Sequence, residues 1–449
     1  MMNAKTLSTA VLVSLASMPV CLAQSAGASG DEVRAIVAEM LADAESRSSL
    51  LQDGGAASAG HDGQGFVFKD AAGNFKLTIA GALQFRYQLN FRDTQDGGPN
   101  AAANRGNDDF ESGFETRRSR VVFRGHAIDP KLTYFVQTDF SRRDGTLDLL
   151  DAWAQYKWDN GVYAKWGQFK MPFLREELVA DWTQLAIERS STNTAFTQDR
   201  SQGVELGWKG EQVGLAFAFH DGFNSKNSEF GSTSALGNFG FVRTGGESDW
   251  AFTGRAEWKA AGEWKQFDDF TSQPGSSYAC LLGAAGHVEG SANDIAASPG
   301  GIDTQGDTVY SSWTVDMSVE GDGWNLFAAG IGAHQKTSLL GIGDGSSDDY
   351  GFVGQGGFYL PETDWELFAR YDAIFQDSDR DLGDSDETFD VVTVGTHYYW
   401  AGHAAKFSFD VQWFLDESTQ LMSSNGGNGF LRTTEENEVN LRFQFQLLF

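Results

Sequence analysis

The sequence has few cysteines, few prolines and no long apolar segment after its first residues. Only 2 of the 449 residues are cysteine and 7 are proline. Cys21 lies in a predicted leader, so Cys280 alone would remain in the mature chain. One cysteine excludes an internal disulfide and a cysteine-based metal centre. No run of about 18 apolar residues follows the N-terminus, which excludes membrane-spanning helices.

Basic residues are scarce relative to acidic ones. There are 33 Lys and Arg against 62 Asp and Glu, a formal net charge of −29. Such a surface repels nucleic-acid phosphates, so we expect no nucleic-acid partner. The 7 histidines are dispersed, and neither an H-E-x-x-H nor a G-x-S-x-G motif is present. The sequence therefore predicts no catalytic residue, no metal site and no cofactor.

The first 23 residues are typical of an export signal. Lys5 precedes an apolar stretch, residues 7–20, that is too short to cross a bilayer. Small residues at Cys21 and Ala23 suit the positions before a cleavage site. Two alternatives stay open, a buried N-terminal helix and a lipoprotein cleavage before Cys21. We predict cleavage after residue 23.

Residues 24–65 are predicted to form a short helix and a linker. Apolar residues between positions 33 and 44 recur at helical spacing, which predicts a helix over 31–52. A small trimeric coiled coil is one way to bury its apolar stripe. Residues 53–65 are rich in glycine, alanine and serine, which predicts a flexible linker.

From residue 73 onward, apolar residues recur at every second position. In residues 439–449, Val, Leu and Phe alternate with Asn, Arg and Gln. This alternation predicts strands with one apolar and one polar face. Sixteen such runs lie near 74–92, 114–127, 131–141, 147–158, 162–170, 202–209, 212–221, 249–260, 278–287, 308–320, 323–335, 350–360, 363–376, 388–400, 403–415 and 437–449.

Short and long connections mostly alternate between these runs. Two depart from the rule, because 261–277 is long and 142–146 is short where the opposite is expected. An even strand number with short turns at one end and long loops at the other is typical of a bacterial outer-membrane barrel. The polar faces carry many charges, which a soluble β protein would have to bury unpaired. A water-filled lumen with apolar residues facing lipid avoids that cost.

The sequence therefore predicts an all-β protein, a sixteen-stranded antiparallel transmembrane β-barrel over residues 66–449. The leader 1–23 exports the chain to the outer membrane, and residues 24–65 would form a periplasmic helix and linker. Lipid of the outer membrane is the expected surrounding of the barrel.

Several segments resemble the phosphate-selective porin O and P family. They are Thr116-Arg117-Arg118-Ser119-Arg120-Val121-Val122-Phe123, 134–139, 150–156, Gly167-Gln168-Phe169-Lys170-Met171-Pro172-Phe173, Glu188-Arg189-Ser190, 365–372 and the terminal Phe449. The resemblance implies a homotrimeric sixteen-stranded porin in which residues 171–201 fold inward and constrict each pore.

Basic residues on the polar faces form the predicted anion path. They are Arg86, Arg117, Arg118, Arg120, Arg124, Lys165, Arg255, Arg370 and Arg442. Three of these arginines alternate along one strand, and such a row can pass an anion from one guanidinium to the next. They could instead pair with Asp139 and Asp151 on adjacent strands and stiffen the wall. Arg117 is off the lumenal parity, so we expect it to face the strand end.

The predicted constriction segment carries both signs of charge. Its candidate residues are Arg175, Glu176, Glu177, Asp181 and Arg189. Family members that select phosphate have an arginine where this chain has Ala82, and lysines where it has these acids. A general porin of the same family is therefore the preferred interpretation.

Much of the acidity falls in four predicted long loops. Residues 93–112, 336–349, 377–387 and 416–438 together hold 19 acidic and 4 basic residues. This predicts a negative outer mouth above a slightly basic lumen, and hence weak ion selectivity. The aspartates near 377–386 resemble a Ca²⁺-binding stretch but lack the EF-hand spacing.

The predicted function is a water-filled outer-membrane channel for passive diffusion of small hydrophilic solutes and ions, anions or phosphate among them. Two alternatives from other classes stay open. One is a plugged surface barrel that acts in adhesion or as a scaffold. The other is a barrel-embedded hydrolase, for which His397 and His403 would have to approach each other.

Overall fold

The computed structural model describes residues 57–91, 110–142, 144–223, 225–228, 248–292, 307–337, 346–378, 387–416 and 437–449. The predicted leader 1–23, the predicted helix 31–52 and most of the four acidic segments lie outside these ranges. In the part of the chain so described, no helix is both long enough and apolar enough to span a bilayer.

Within the described residues, eighteen strands make up one sheet. In chain order they are β1 Ser58–His61, β2 Phe66–Lys69, β3 Lys76–Phe91, β4 Phe110–Ala127, β5 Asp129–Phe140, β6 Leu147–Lys157, β7 Val162–Lys170, β8 Arg200–Lys209, β9 Val213–His220, β10 Trp250–Ala261, β11 Ala279–Ala292, β12 Asp307–Gly321, β13 Trp324–Thr337, β14 Ser346–Tyr359, β15 Trp365–Phe375, β16 Thr388–Tyr399, β17 Ala405–Phe414 and β18 Glu438–Leu448.

The strands β3 to β18 form a closed antiparallel barrel. Each pairs with the next along the chain, and β18 returns to pair with β3. In that last pairing Val439 lies opposite Phe91 and Leu448 opposite Ala82. The predicted sixteen-stranded barrel is confirmed. Closure leaves the barrel without a free sheet edge, as a bilayer requires.

The small hairpin β1–β2 extends the sheet beside β3 and differs from the sequence prediction. Residues 58–61 are a strand, although 53–65 was predicted to be a linker. The hairpin pairs through Phe66 opposite Ile79 and Lys69 opposite Lys76. Three of the four residues of Phe66–Lys69 are apolar, and Val67 is buried. This short apolar run gives the preceding segment a partner strand.

The apolar side chains of the barrel strands face outward and the polar ones face the lumen. In β18, Phe443 is 45% exposed and Leu447 is 37% exposed, while Arg442 and Gln446 are fully buried. Exposed Phe, Trp and Leu recur around the barrel, as expected for a lipid-facing surface. The interior is polar and densely hydrogen-bonded, which a water-filled barrel accommodates.

Among the described residues, two long connections pack inside the barrel. The first, residues 171–199 between β7 and β8, is called the pore loop. It contains the helices α1 Arg175–Leu178 and α2 Ser191–Phe196 and a 3-10 turn, Asp181–Thr183. The second, residues 262–278 between β10 and β11, is called the inward turn and contains a 3-10 helix, Trp264–Asp268.

Aromatic and aliphatic side chains of these segments pack against the barrel wall. Leu174 and Phe196 of the pore loop join a cluster with Ile331 and Phe389 of the wall. A second cluster packs Leu185 of the pore loop with wall and inward-turn residues. These apolar contacts fix both segments in place, because burying each side chain is worth about 1.5–3 kcal/mol.

Candidate functional site: the pore constriction

A β-bulge in β4 brings two adjacent arginines into the lumen. Gln84 of β3 lies opposite Arg118, whereas the next residue of β3 lies opposite Thr116, so Arg117 has no partner across the ladder. A bulge inserts one extra residue and re-aims the side chains around it. The expectation that Arg117 faces the strand end is therefore corrected, because both Arg117 and Arg118 reach the pore loop.

Glu188 of the pore loop accepts hydrogen bonds from three arginines. Arg118 Nη2 donates to Glu188 Oε2 over 2.7 Å, and Arg86 and Arg117 each approach Glu188 Oε1 at 2.5 Å. Burial alone would raise the pKa of this carboxyl. The three guanidiniums outweigh burial and hold the pKa of Glu188 well below its usual range.

Asp181 is the second acidic centre of the pore loop. It contacts Arg120 of β4 and Arg189 of the loop itself, and Arg118 Nε lies 3.5 Å from its carboxylate. Burial opposes ionisation here as well, but Arg120, Arg189 and Arg118 hold the pKa of Asp181 well below its usual range. Both acids are thus ionised anchors that join the pore loop to β3 and β4.

The opposite side of the pore loop is anchored on β15. The backbone N–H of Ser191 donates to Asp372 Oδ2 over 2.8 Å, and Arg370 Nη1 donates to the carbonyl oxygen of Glu188 over 2.7 Å. Glu176 accepts from the Ser190 backbone N–H over 2.7 Å. Burial raises the pKa of Glu176, although Arg370 and Ser190 act in the other direction. The pore loop therefore spans the lumen from β4 to β15.

Two cavities border the pore loop. The outer cavity, about 700 Å³, is lined by β4, β5, β6 and the loop, and lies toward the long connections. Its lining carries seven cationic and six anionic side chains. The lower cavity, about 180 Å³, is lined by β7 to β10 near the short turns. Glu177 borders the first space, and Lys170 and Leu178 border the second.

Lys170 marks the boundary between these spaces. Its ammonium donates to the carbonyl oxygen of Glu177 over 2.6 Å and lies 3.3 Å from Glu177 Oε1. Arg189 Nε lies 3.4 Å from the other oxygen of the same carboxylate. Charges of both signs thus meet between the two cavities.

The other predicted basic residues are also paired. Lys165 lies 2.8 Å from Glu205, Arg255 binds Asp316 through two nitrogens at 2.8 and 2.9 Å, and Arg442 binds Asp410 through two bonds of 2.7 Å. Arg175 donates to the carbonyl oxygen of Phe267 in the inward turn. Arg124 lies apart from the constriction, where Arg124 Nη2 donates to Gln64 Oε1 over 2.8 Å.

The sequence left open that the arginines of β4 pair with Asp139 and Asp151. The structure shows one of these two pairings. Arg120 does pair with Asp139, over 2.9 Å. Asp151 pairs instead with Arg200, also over 2.9 Å. The principal partners of the arginine row are therefore pore-loop carboxylates. Ala82 faces the lumen and is buried. It is the position at which the absence of an arginine argues against a phosphate site.

Sequence reasoning missed Glu188 as the centre of the arginine cluster. It also missed Lys170, Arg142, Arg200 and Lys226, which line or border the cavities. The sequence feature that could have identified Glu188 is its position directly before Arg189, in a segment predicted to fold inward. Such a segment needs a charge partner for the wall arginines.

His397 contacts the pore loop, and His403 contacts the inward turn. The two histidines thus hold these segments rather than converging on one cleft. His397 Nδ1 lies 2.7 Å from Ser408 Oγ, and its Nε2 lies against the carbonyl oxygen of Leu185. His403 Nε2 lies 3.6 Å from Asp269 of the inward turn. His397 and Ser408 are both buried beneath the pore loop, so this pair is placed to fix the loop.

Comparison with known proteins agrees with this geometry. The family model described as phosphate-selective porin O and P matches residues 82–249. Comparison with curated protein sequences gives no match.

Solved structures of outer-membrane proteins share the fold. The outer-membrane channel DcaP of Acinetobacter baumannii has 15% identity and a TM-score of 0.54, over 85% of this chain and 99% of that one. An anion-selective porin from Comamonas acidovorans has 12% identity and a TM-score of 0.53, over 83% and 99%. OmpT of Vibrio cholerae, in a trimer form, has 12% identity and a TM-score of 0.51, over 83% and 99%. At such identities the likeness defines the fold.

A closed sixteen-stranded barrel with an apolar outer face, a charged lumen and an inward loop defines a porin of the bacterial outer membrane. Within that class, the predicted resemblance to the phosphate-selective porin O and P family is confirmed over residues 82–249, which the family model matches.

Proposed function

We propose that this porin passes small hydrophilic solutes and ions by diffusion, with a weak preference for anions and no specific phosphate site. The observation that carries the proposal is the outer cavity. Its walls hold seven cationic and six anionic side chains, so the net field is slight. A phosphate site would need several cations without carboxylate partners, whereas the wall arginines here are paired with Glu188 and Asp181.

The pore loop sets the size limit in this proposal. It carries α1, α2 and the Asp181–Thr183 turn across the lumen, and it is anchored both on β4 and on β15, five strands away around the barrel. An external loop would need no such anchors. A homotrimer in outer-membrane lipid, with one pore in each subunit, completes the proposal and rests on the family resemblance.

Planar bilayer recording of the purified protein tests the proposal. We expect stepwise conductance, and a small zero-current potential of anionic sign in a KCl gradient of high mean salt. Chloride current should not be blocked by low concentrations of phosphate. A block at low phosphate would replace this proposal with a phosphate-specific pore. Silence of a correctly folded barrel would favour the plugged adhesion or scaffold alternative.

A further inference from the structure

The inward turn is unusual because it leaves the short-turn end of the barrel and enters the lumen. Neighbouring strands at the same end are joined by tight turns such as 159–161 and 322–323. The inward turn begins at Gly262, whose φ is +82° and where a Cβ would overlap Ala279. Beyond that glycine, Phe267 and Phe270 are each only 4% exposed. A solvent-exposed turn would not bury two phenylalanines.

The inward turn reaches across the short-turn end of the lumen. Trp264 Nε1 donates to the carbonyl oxygen of Gly210, in the β8–β9 turn, over 3.0 Å. Ser272 Oγ donates to the carbonyl oxygen of Gly321 in the β12–β13 turn over 2.5 Å. Asp269 lies 3.6 Å from His403 in the β16–β17 turn. One segment therefore joins three turns around the barrel.

The same segment supports the pore loop from below. The Arg175 guanidinium donates to the carbonyl oxygen of Phe267 and lies 5.5 Å from the centre of the Phe270 ring. The Phe270 backbone N–H donates to the carbonyl oxygen of Thr183 over 3.2 Å. The Phe270 ring packs on Phe327 of the wall with a centroid distance of 4.8 Å. The pore loop and the inward turn therefore pack together as one body inside the barrel, beside strands β11 to β17.

The lower cavity lies beside this body. Its lining includes four cationic side chains and two carboxylates. The inward turn contributes to the same region, because the Lys209 ammonium lies 4.4 Å from the centre of the Trp264 ring. The ring attracts the cation, and the Lys209 side chain is exposed at the end of β8, where a passing anion can reach it.

We infer that the inward turn is a second constriction in series with the pore loop. It closes the lumen beneath β11 to β17 and directs solutes past Lys209 through the lower cavity. This inference rests on the proposed channel function. The inward turn would then contribute to selectivity at the short-turn end, where the cavity lining has a net positive charge.

Cysteine accessibility tests the position of the turn with matched alanines. In a Cys280→Ser background, Ala216→Cys lines the lower cavity and Ala279→Cys lies beneath the inward turn with 0% exposure. A trimethylammonium-ethyl methanethiosulfonate reagent should modify Ala216→Cys and lower the current. Ala279→Cys should stay unmodified, as read by mass spectrometry. Modification of Ala279→Cys as fast as Ala216→Cys would overturn the inference.

Replacing residues 263–276 with Gly-Asp-Gly, the sequence at 321–323, tests the constriction directly. Conductance should rise, and Ala279→Cys should become reactive in this variant. Unchanged conductance in a folded variant would overturn the inference. If this variant does not fold, labelling of Ala216→Cys and Ala279→Cys in the protein with the intact turn still tests the inference. A wild-type protein that does not conduct would refute the proposed function, while the labelling result would stand on its own.

A charge reversal tests selectivity at this second constriction. Lys209→Glu should shift the zero-current potential toward cations. Lys265→Glu is the matched control, since Lys265 lies on the inward turn but does not line the lower cavity. Equal shifts in the two variants would mean that the lower cavity is not the path of the current.

Discussion

Arg118 Nη2 donates to Glu188 Oε2 over 2.7 Å and joins the second barrel strand to the pore loop. Both side chains are almost completely buried. Arg86 and Arg117 meet the same carboxylate, so three positive charges converge on one negative charge. The arginine row therefore lines the outer cavity and also binds the pore loop.

Glu188→Gln should weaken the docking of the pore loop and raise anion preference. Removing one partner of a buried ion pair costs about 3–5 kcal/mol, because the remaining charges stay buried without compensation. The matched control is Glu115→Gln, whose partners Arg86 and Arg142 lie at 3.3 and 2.8 Å and whose side chain is 22% exposed. Thermal unfolding and zero-current potential measure both effects. Similar losses in the two variants would contradict a central role for Glu188.

Changing Arg118 and Arg120 together to Ala should shift selectivity toward cations. The substitution leaves Glu188 and Asp181 with fewer counter-charges in the outer cavity. One unit charge at about 8 Å in water changes the ion energy by about 0.5 kcal/mol, or roughly twofold in permeability ratio. The zero-current potential in a KCl gradient reports this change. An opposite shift, or none in a folded barrel, would assign these arginines a purely structural role.

The barrel was predictable because its signal is local and repeated. The alternation in β18, with Val439, Leu441 and Phe443 against Asn440 and Arg442, appears in the structure as outward and inward side chains. Register also follows, because a one-residue slip would turn every apolar residue into the lumen.

The constriction was less predictable because its contacts join distant residues. No local pattern marks Arg117 as the extra residue of a bulge, although that bulge decides which arginines face inward. Glu188 is 70 residues from Arg118 in the chain. The connection 261–277 is longer than the alternation of short and long connections predicts. Nothing in its local sequence indicates that Phe267 and Phe270 point into the barrel.

Gly125→Ala should destabilise the barrel much more than Gly113→Ala, although both glycines lie in β4. A Cβ at Gly125 would overlap the backbone oxygen of Lys76, whereas a Cβ at Gly113 meets no atom within 4 Å. Overpacking typically costs about 1–3 kcal/mol, and backbone cannot move aside like a side chain. The temperature at which the folded band is lost on gel electrophoresis compares the two. Equal temperatures would contradict the close approach of β3 and β4.

In a Glu176→Gln background, which removes the pore-loop carboxyl whose pKa burial raises, conductance should be the same near neutral pH and at about pH 4.5, the ordinary value for a glutamate. The pKa values of Asp181 and Glu188 are lower in the folded protein than in the unfolded chain. Their contribution to loop docking is therefore fully present above the unfolded pKa values. It is lost only as the pH falls through the lower pKa values of the folded protein. Their ordinary values are 3.8 and 4.5, and loosening should begin below that range. Single-channel recording measures this, and a transition between pH 5 and 4.5 would contradict it.

Deleting residues 176–186 should raise single-channel conductance. This stretch contains Asp181, which docks on Arg120, and Leu185, whose side chain is fully buried in a cluster against the wall. Its removal takes both an anchor and bulk from the lumen, while β7 and β8 stay paired from Lys170 opposite Arg200. Heat-modifiable mobility on gels is the control for a closed barrel. Unchanged conductance in a barrel that passes this control would mean that the pore loop does not narrow the path.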